Sequence, residues 1–164
     1  MVESAHTKAF VFQVQQVTSP VEILCSHYFS WMVVQNAFDS MTELPVPVPH
    51  ELVEPNMLVL VLSKATLRRG IVAAIFNHPE TVYRVEFIDL PGYAESSLLY
   101  YPPSNISRCA PRALLKVRLN RRVQNIQPLS DVSLLCDKIH DNMIQGDLVG
   151  SEIQSMMKLN NSKL

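Results

Sequence analysis

The sequence predicts a mainly β protein with helices, an α+β chain built around a small, strongly bent antiparallel barrel. Three observations carry this. Within Val82 to Tyr93, Tyr83, Val85 and Phe87 alternate with Arg84, Glu86 and Ile88, the two-residue period of a strand with one buried face. Short apolar segments with brief polar turns surround it. A proline-rich connector, Pro45 to Pro49, separates this β unit from what precedes it.

In chain order, Ala9 to Val17 alternates in part, Thr18-Ser19-Pro20 supplies a turn, and Val21 to Cys25 is apolar again, which reads as a β-hairpin. From Tyr28 to Leu44 the period changes. Trp31, Val34, Phe38 and Met41 fall three and four apart, on one side of a helix that should stop before Pro45, and both Trp31 and Phe38 read as core. Pro45-Val46-Pro47-Val48-Pro49 can neither continue that helix nor lie in a central strand, so it is an extended connector, with Pro55 near its end. Strands follow at Met57 to Leu62, Gly70 to Phe76 and Val82 to Phe87, then Tyr93 to Tyr101. Asp89-Leu90-Pro91-Gly92 has turn chemistry, with glycine able to take positive φ. Ala113 to Leu119 is a strand with Leu115, Val117 and Leu119 on one face and Lys116 and Arg118 on the other. Ser130 suits the N-cap of a helix carrying Leu134, Leu135, Ile139 and Met143, with Gly146 as its stop, and a last short helix is expected from Ser151 to Leu159.

At 164 residues, 48% hydrophobic and 18% charged, the chain can bury one core or two small ones. With 14 basic and 15 acidic residues, its total charge gives no wholesale attraction to nucleic acid or an anionic membrane. The longest apolar run, Met57 to Leu62, is too short to span a bilayer, and the N-terminus lacks signal-peptide order, so a soluble, intracellular protein without membrane association is expected. Cys25, Cys109 and Cys136 are too irregularly spaced for a metal clip and read as buried thiols. The five histidines are isolated, and no catalytic, metal or cofactor motif is present.

The order of segments resembles the extended Tudor domain, in which a Tudor barrel, SH3-like in architecture, is inserted into a staphylococcal-nuclease-like or oligonucleotide-binding-like lobe. Val17 to Cys25 resembles the family's opening Val with Ser-Pro, and Gly70-Ile71-Val72-Ala73-Ala74-Ile75 its Trp-Tyr-Arg-Ala-x-Val strand. Val85-Glu86-Phe87-Ile88-Asp89-Leu90-Pro91-Gly92 resembles its Val-x-Phe-Ile-Asp-Tyr-Gly-Asn segment. The resemblance implies one module over 9–145, with 9–50 and 104–145 forming the nuclease-like lobe and 55–103 the barrel, followed by a C-terminal helix or tail over 146–164. Scattered Asp39, Glu43, Glu51, Glu54 and Asp89 do not assemble the nuclease's cation site.

Relatives that read methylated arginine enclose it in aromatic faces, because the poorly hydrated cation is drawn to ring quadrupoles. On the register above, the ring positions fall on Gly70, Ile71 and Leu90, and the cage asparagine on Gly92. The cage is therefore degenerate, unless Phe76 or Tyr93 swings in to restore part of it. What the resemblance implies is a non-enzymatic module that binds a flexible, arginine-containing tail of a PIWI/Argonaute-family protein in a groove between barrel and lobe, without requiring methylation. Its expected setting is a cytoplasmic ribonucleoprotein granule of germline small-RNA silencing. The expected contact residues are Ile71, Phe76, Phe87, Asp89, Leu90, Gly92 and Tyr93, with Asp89 either capping its turn or accepting hydrogen bonds from the partner.

Two alternatives come from other chemistry. Arg108, Arg112, Lys116, Arg118, Arg121 and Arg122 form a run without an acid, and the last five define a candidate RNA-binding face, although it lacks stacking aromatics. The apolar tip from Leu90 to Tyr93 offers a surface for homodimerisation.

Overall fold

The computed structural model describes residues 8–103, 105–122, 126–140 and 143–150. It contains nine strands and two α-helices among these residues: β1 (Lys8–Ser19), β2 (Glu22–His27), α1 (Tyr28–Asp39), β3 (Leu58–Ser63), β4 (Thr66–Phe76), β5 (Val82–Phe87), β6 (Tyr93–Ser96), α2 (Asn105–Cys109), β7 (Leu114–Leu119), β8 (Asp131–His140) and β9 (Met143–Gly150). The expected mainly β, α+β class is what the chain adopts. Contacts divide it into two units, 1–29 with 113–164, and 30–112.

The first unit is a closed barrel in the order β1-β2-β7-β9-β8. Its hairpin pairs Val14 with Cys25 and Val17 with Ile23, as the turn at Ser19-Pro20 requires. Phe12, Val14, Ile23, Cys25, Val117, Val132, Leu134 and Ile144 fill the interior. Burial pushes the Cys25 thiol up to about 12, so it is a packing residue rather than a nucleophile. Cys109, expected to be buried, is exposed on α2, while the side chain of Cys136 lies outside the description.

The helix expected from Ser130 to Gly146 is not formed: the segment becomes β8 and β9. Phe12 pairs with Val132 on one side and Lys116 with Met143 on the other, so neighbours remote in sequence complete the ladder. Leucine and isoleucine spacing is a weak helical signal, and pairing on both edges overrides it. Gly146 pairs with Cys136 and with Leu119 inside β9 instead of ending a helix. The helix expected at Ser151 to Leu159 lies outside the described residues.

The second unit holds the antiparallel sheet β3-β4-β5-β6. The sheet curls back on itself beyond β6, where the backbones of Leu60 and Tyr100 exchange hydrogen bonds of 2.8 and 2.9 Å. The proline connector runs along the same edge, Val48 N–H donating to Leu99 O and Tyr101 N–H to Val46 O. Val59, Val61, Val72, Tyr83, Val85 and Leu99 form the core. Two expected strands of this unit differ in length. β4 starts at Thr66 rather than Gly70, and β6 stops at Ser96 rather than Tyr101. α1 ends at Asp39, short of Leu44, because the Ser40 hydroxyl donates to the Asn36 and Ala37 carbonyls and closes the last turn.

Candidate functional site

β4 positions the residues that decide the site. Its cross-strand partners place Gly70 opposite Phe87 and Val72 opposite Val85 on the inner face of the curled sheet, while Ile71 opposite Glu86 lies on the outer face. Gly70 is required there: a Cβ would stand 2.4 Å from Val85 Cγ1 and 2.6 Å from the Glu86 carbonyl oxygen.

Arg69, just before that glycine, is 1% exposed. Its Nε and Nη2 donate to the two Asp89 oxygens at 2.9 and 2.6 Å, and the remaining N–H groups reach the carbonyls of Ser107, Ala110 and Pro111. All five donors of the guanidinium are thereby used. Asp89 has neither a purely turn-capping role nor a free acceptor face: the arginine it meets is the chain's own. Trp-Tyr-Arg-Ala-x-Val can also be laid three residues before the expected match, where Arg69, Gly70 and Val72 take the places of its arginine, alanine and valine.

Arg68 lies with its guanidinium carbon 5.7 Å from the centre of the Phe87 ring. It lines a shallow depression with Leu67, Phe87 and Leu90, against Trp31, Val34 and Phe38 of α1, whose cavity volume is about 10 Å³, the room of a single water. Trp31, expected in a core, is half-buried in this wall. On the sheet side of the depression Phe87 supplies the one ring, and it is covered by a cation. Gly92, with φ of 112°, closes the loop after Leu90, its carbonyl accepting from Phe87 N–H at 3.0 Å.

Phe76, Tyr93 and Ile71 are elsewhere, on the outer face. Arg84 sits with its guanidinium carbon 4.7 Å from the Tyr93 ring centre and 5.6 Å from that of Phe76, and it donates to Glu95 Oε1 through Nε and Nη2 at 3.1 and 2.6 Å. The bond to Glu95 holds the Arg84 cation, raising its pKa from the ordinary value. The seven expected contact residues thus split into an inner-loop set, Phe87, Asp89, Leu90 and Gly92, and an outer-face set, Ile71, Phe76 and Tyr93. Sequence reasoning missed Arg68, Arg69 and Arg84. The first two had a signal in Arg-Gly-x-Val, and Arg84 had one in its alternation with Val85.

The basic run is divided. Lys116 and Arg118 do project together from exposed positions of β7, and Arg121 and Arg122 are exposed. Acids from neighbouring strands approach them, however: Lys116 Nζ is 4.0 Å from Glu22 and Arg121 Nε 3.8 Å from Asp147. Arg108 and Arg112 belong to the other unit, where Arg112 is half-buried. At the candidate dimerisation tip, Leu90 and Pro91 are half-buried, while Gly92 and Tyr93 are exposed, Tyr93 at 57%.

No family model matches the chain, and no curated protein does. Solved structures do. The chain is similar to the extended Tudor domain TD3 of mouse TDRD1 in complex with a MILI peptide containing dimethylarginine 45, at 14% identity and TM-score 0.62, covering 96% of this chain and 95% of that one. It is similar to the human TDRD1 extended Tudor domain in complex with a symmetrically dimethylated peptide, at 13% identity and TM-score 0.63, covering 94% and 88%. It is also similar to Drosophila melanogaster Krimper eTud1 in its complex with Ago3, at 11% identity and TM-score 0.62, covering 90% and 87%. The chain has the extended Tudor fold.

Proposed function

We propose that this chain is a non-enzymatic interaction module that binds a flexible, arginine-containing tail of a PIWI/Argonaute-family partner without requiring arginine methylation, as a scaffold in germline small-RNA granules of the cytoplasm. Similar folds are solved with MILI, Aubergine and Ago3, which supports the class of partner. The observation that carries the methylation reading is Arg68 over Phe87. Of the three rings that line the depression, Trp31, Phe38 and Phe87, the one from the sheet lies under the chain's own positive charge, which opposes an entering cation. Cation–π contacts are worth about 0.5–2 kcal/mol each, and this repulsion offsets much of the discrimination they would give.

The outer face supports the same reading from the other side. Phe76, Tyr93 and Glu95 hold the unmodified guanidinium of Arg84 through direct N–H donation to a carboxylate. Methyl groups would remove such donors, so an arginine engaging Glu95 or the neighbouring Glu86 gains nothing from methylation. Calorimetry with paired tail peptides, unmodified and symmetrically dimethylated, tests this. Equal or tighter binding of the unmodified peptide is expected, and tenfold tighter binding of the dimethylated one overturns it. The RNA alternative through Lys116 and Arg118 predicts a steep loss of binding with salt, whereas the peptide reading predicts a shallow one.

A further inference from the structure

We propose that the depression at Arg68 binds the carboxylate of an aspartate or glutamate side chain in the partner's extended peptide; this rests on the peptide-binding reading and names the chemistry of one contact. Arg69 and Asp89 neutralise each other, and every Arg69 donor is used. Arg68 is different. Half-buried, it takes part in none of the ion pairs formed among the described residues. A guanidinium resting on a ring face spends none of its N–H donors there, so its fork remains available to a planar carboxylate.

The surroundings strengthen such a pair. Leu67, Leu90, Val34 and Phe38 form apolar walls that keep local screening below that of open water. The local charge, two arginines against one aspartate, is positive. An arginine entering the same depression would meet a like charge with no carboxylate left to receive it. The depression is suited to an anion, and its walls favour one carried on a short aliphatic stem.

Amide spectra of the full chain, titrated with the N-acetylated, C-amidated tripeptides Ala-Glu-Ala, Ala-Gln-Ala and Ala-Arg-Ala and with inorganic phosphate, test the assignment. The Glu tripeptide should shift the amides of Leu67, Arg68, Phe87 and Leu90 with affinity at least tenfold above the Gln tripeptide. Arg68→Gln should remove that response and Arg68→Lys should retain part of it, the spectra themselves verifying that both variants fold. An equal response to Gln, a response to Arg at the same amides, no response to Glu, or phosphate binding at least as tight as Glu would each overturn the proposal. Phosphate preference would point instead to a nucleic-acid backbone. The unmodified arginine tail peptide belongs in the same series. If it binds while the Glu tripeptide does not, only the carboxylate site falls; if the Glu tripeptide binds and the tail does not, the partner reading falls and the site stands.

Discussion

Asp89 and Arg69 show how a single buried pair organises the loops on which the site depends. With its side chain fully buried, Arg69 has no water to replace a lost partner. Asp89→Asn removes the charge while keeping the shape, and should cost about 3–5 kcal/mol in denaturant unfolding, because an uncompensated guanidinium stays behind. A loss below about 1 kcal/mol, the worth of an exposed pair, would mean that this is not the organising contact. His27 poses a titration problem instead. It sits among Phe10, Phe12 and Phe29, with ring centres 5.9, 5.4 and 6.5 Å away, and burial pushes its pKa below the ordinary value. The unfolded chain therefore takes up this proton more readily than the folded one. Stability from His27 is fully present above about pH 6.5 and is lost as pH falls through the lower folded value. Urea midpoints measured from about pH 7.5 to pH 5, a range spanning the ordinary histidine value, should decline less in His27→Gln than in the parent chain, and parallel declines would exclude His27 as the source.

Strands β4 and β5 meet most closely at Gly70, so this element pair tolerates no side chain there. Gly70→Ala drives a methyl into backbone as well as into Val85, and should destabilise the second unit by about 3 kcal/mol or more, read from its thermal transition. A neutral result would require the ladder to part at the Gly70–Phe87 pair without penalty. The same elements show what was legible beforehand. β5 and β7 were readable because each alternates cleanly and buries one face: Tyr83 and Val85 in one, Leu115, Val117 and Leu119 in the other. β8 and β9 were not, since what makes them strands is pairing with β1 and β7, which no local window contains. That Leu90 would edge the site was visible beforehand, and it does line the depression. The place of Arg68 over Phe87 was not, because Arg68-Arg69 reads as a polar turn until the burial of Arg69 fixes the register of the strand.

The two units differ in how far the chain must travel to build them. The second unit, 30–112, is continuous, and its core from Val48 to Leu99 and every described partner of the Arg69 guanidinium lie within it. The first closes only when the N-terminal hairpin meets strands beyond Ala113, as in the Phe12–Val132 and Ile23–Val117 pairs. Loop closure over that distance must precede any gain from contact, which slows barrel formation and leaves the second unit to form first. Two consequences can be measured. A fragment spanning 30–112 should give a dispersed amide spectrum and a cooperative melt, with its Arg69–Asp89 pair intact by the Asp89→Asn criterion. In refolding of the full chain, pulse-labelled amides of β3, β4 and β5 should gain protection before those of β1 and β8. Simultaneous protection of both sets, or a fragment without cooperative unfolding, would show that the second core depends on the first barrel, and the local account of the Arg68 depression would then have to include residues outside 30–112.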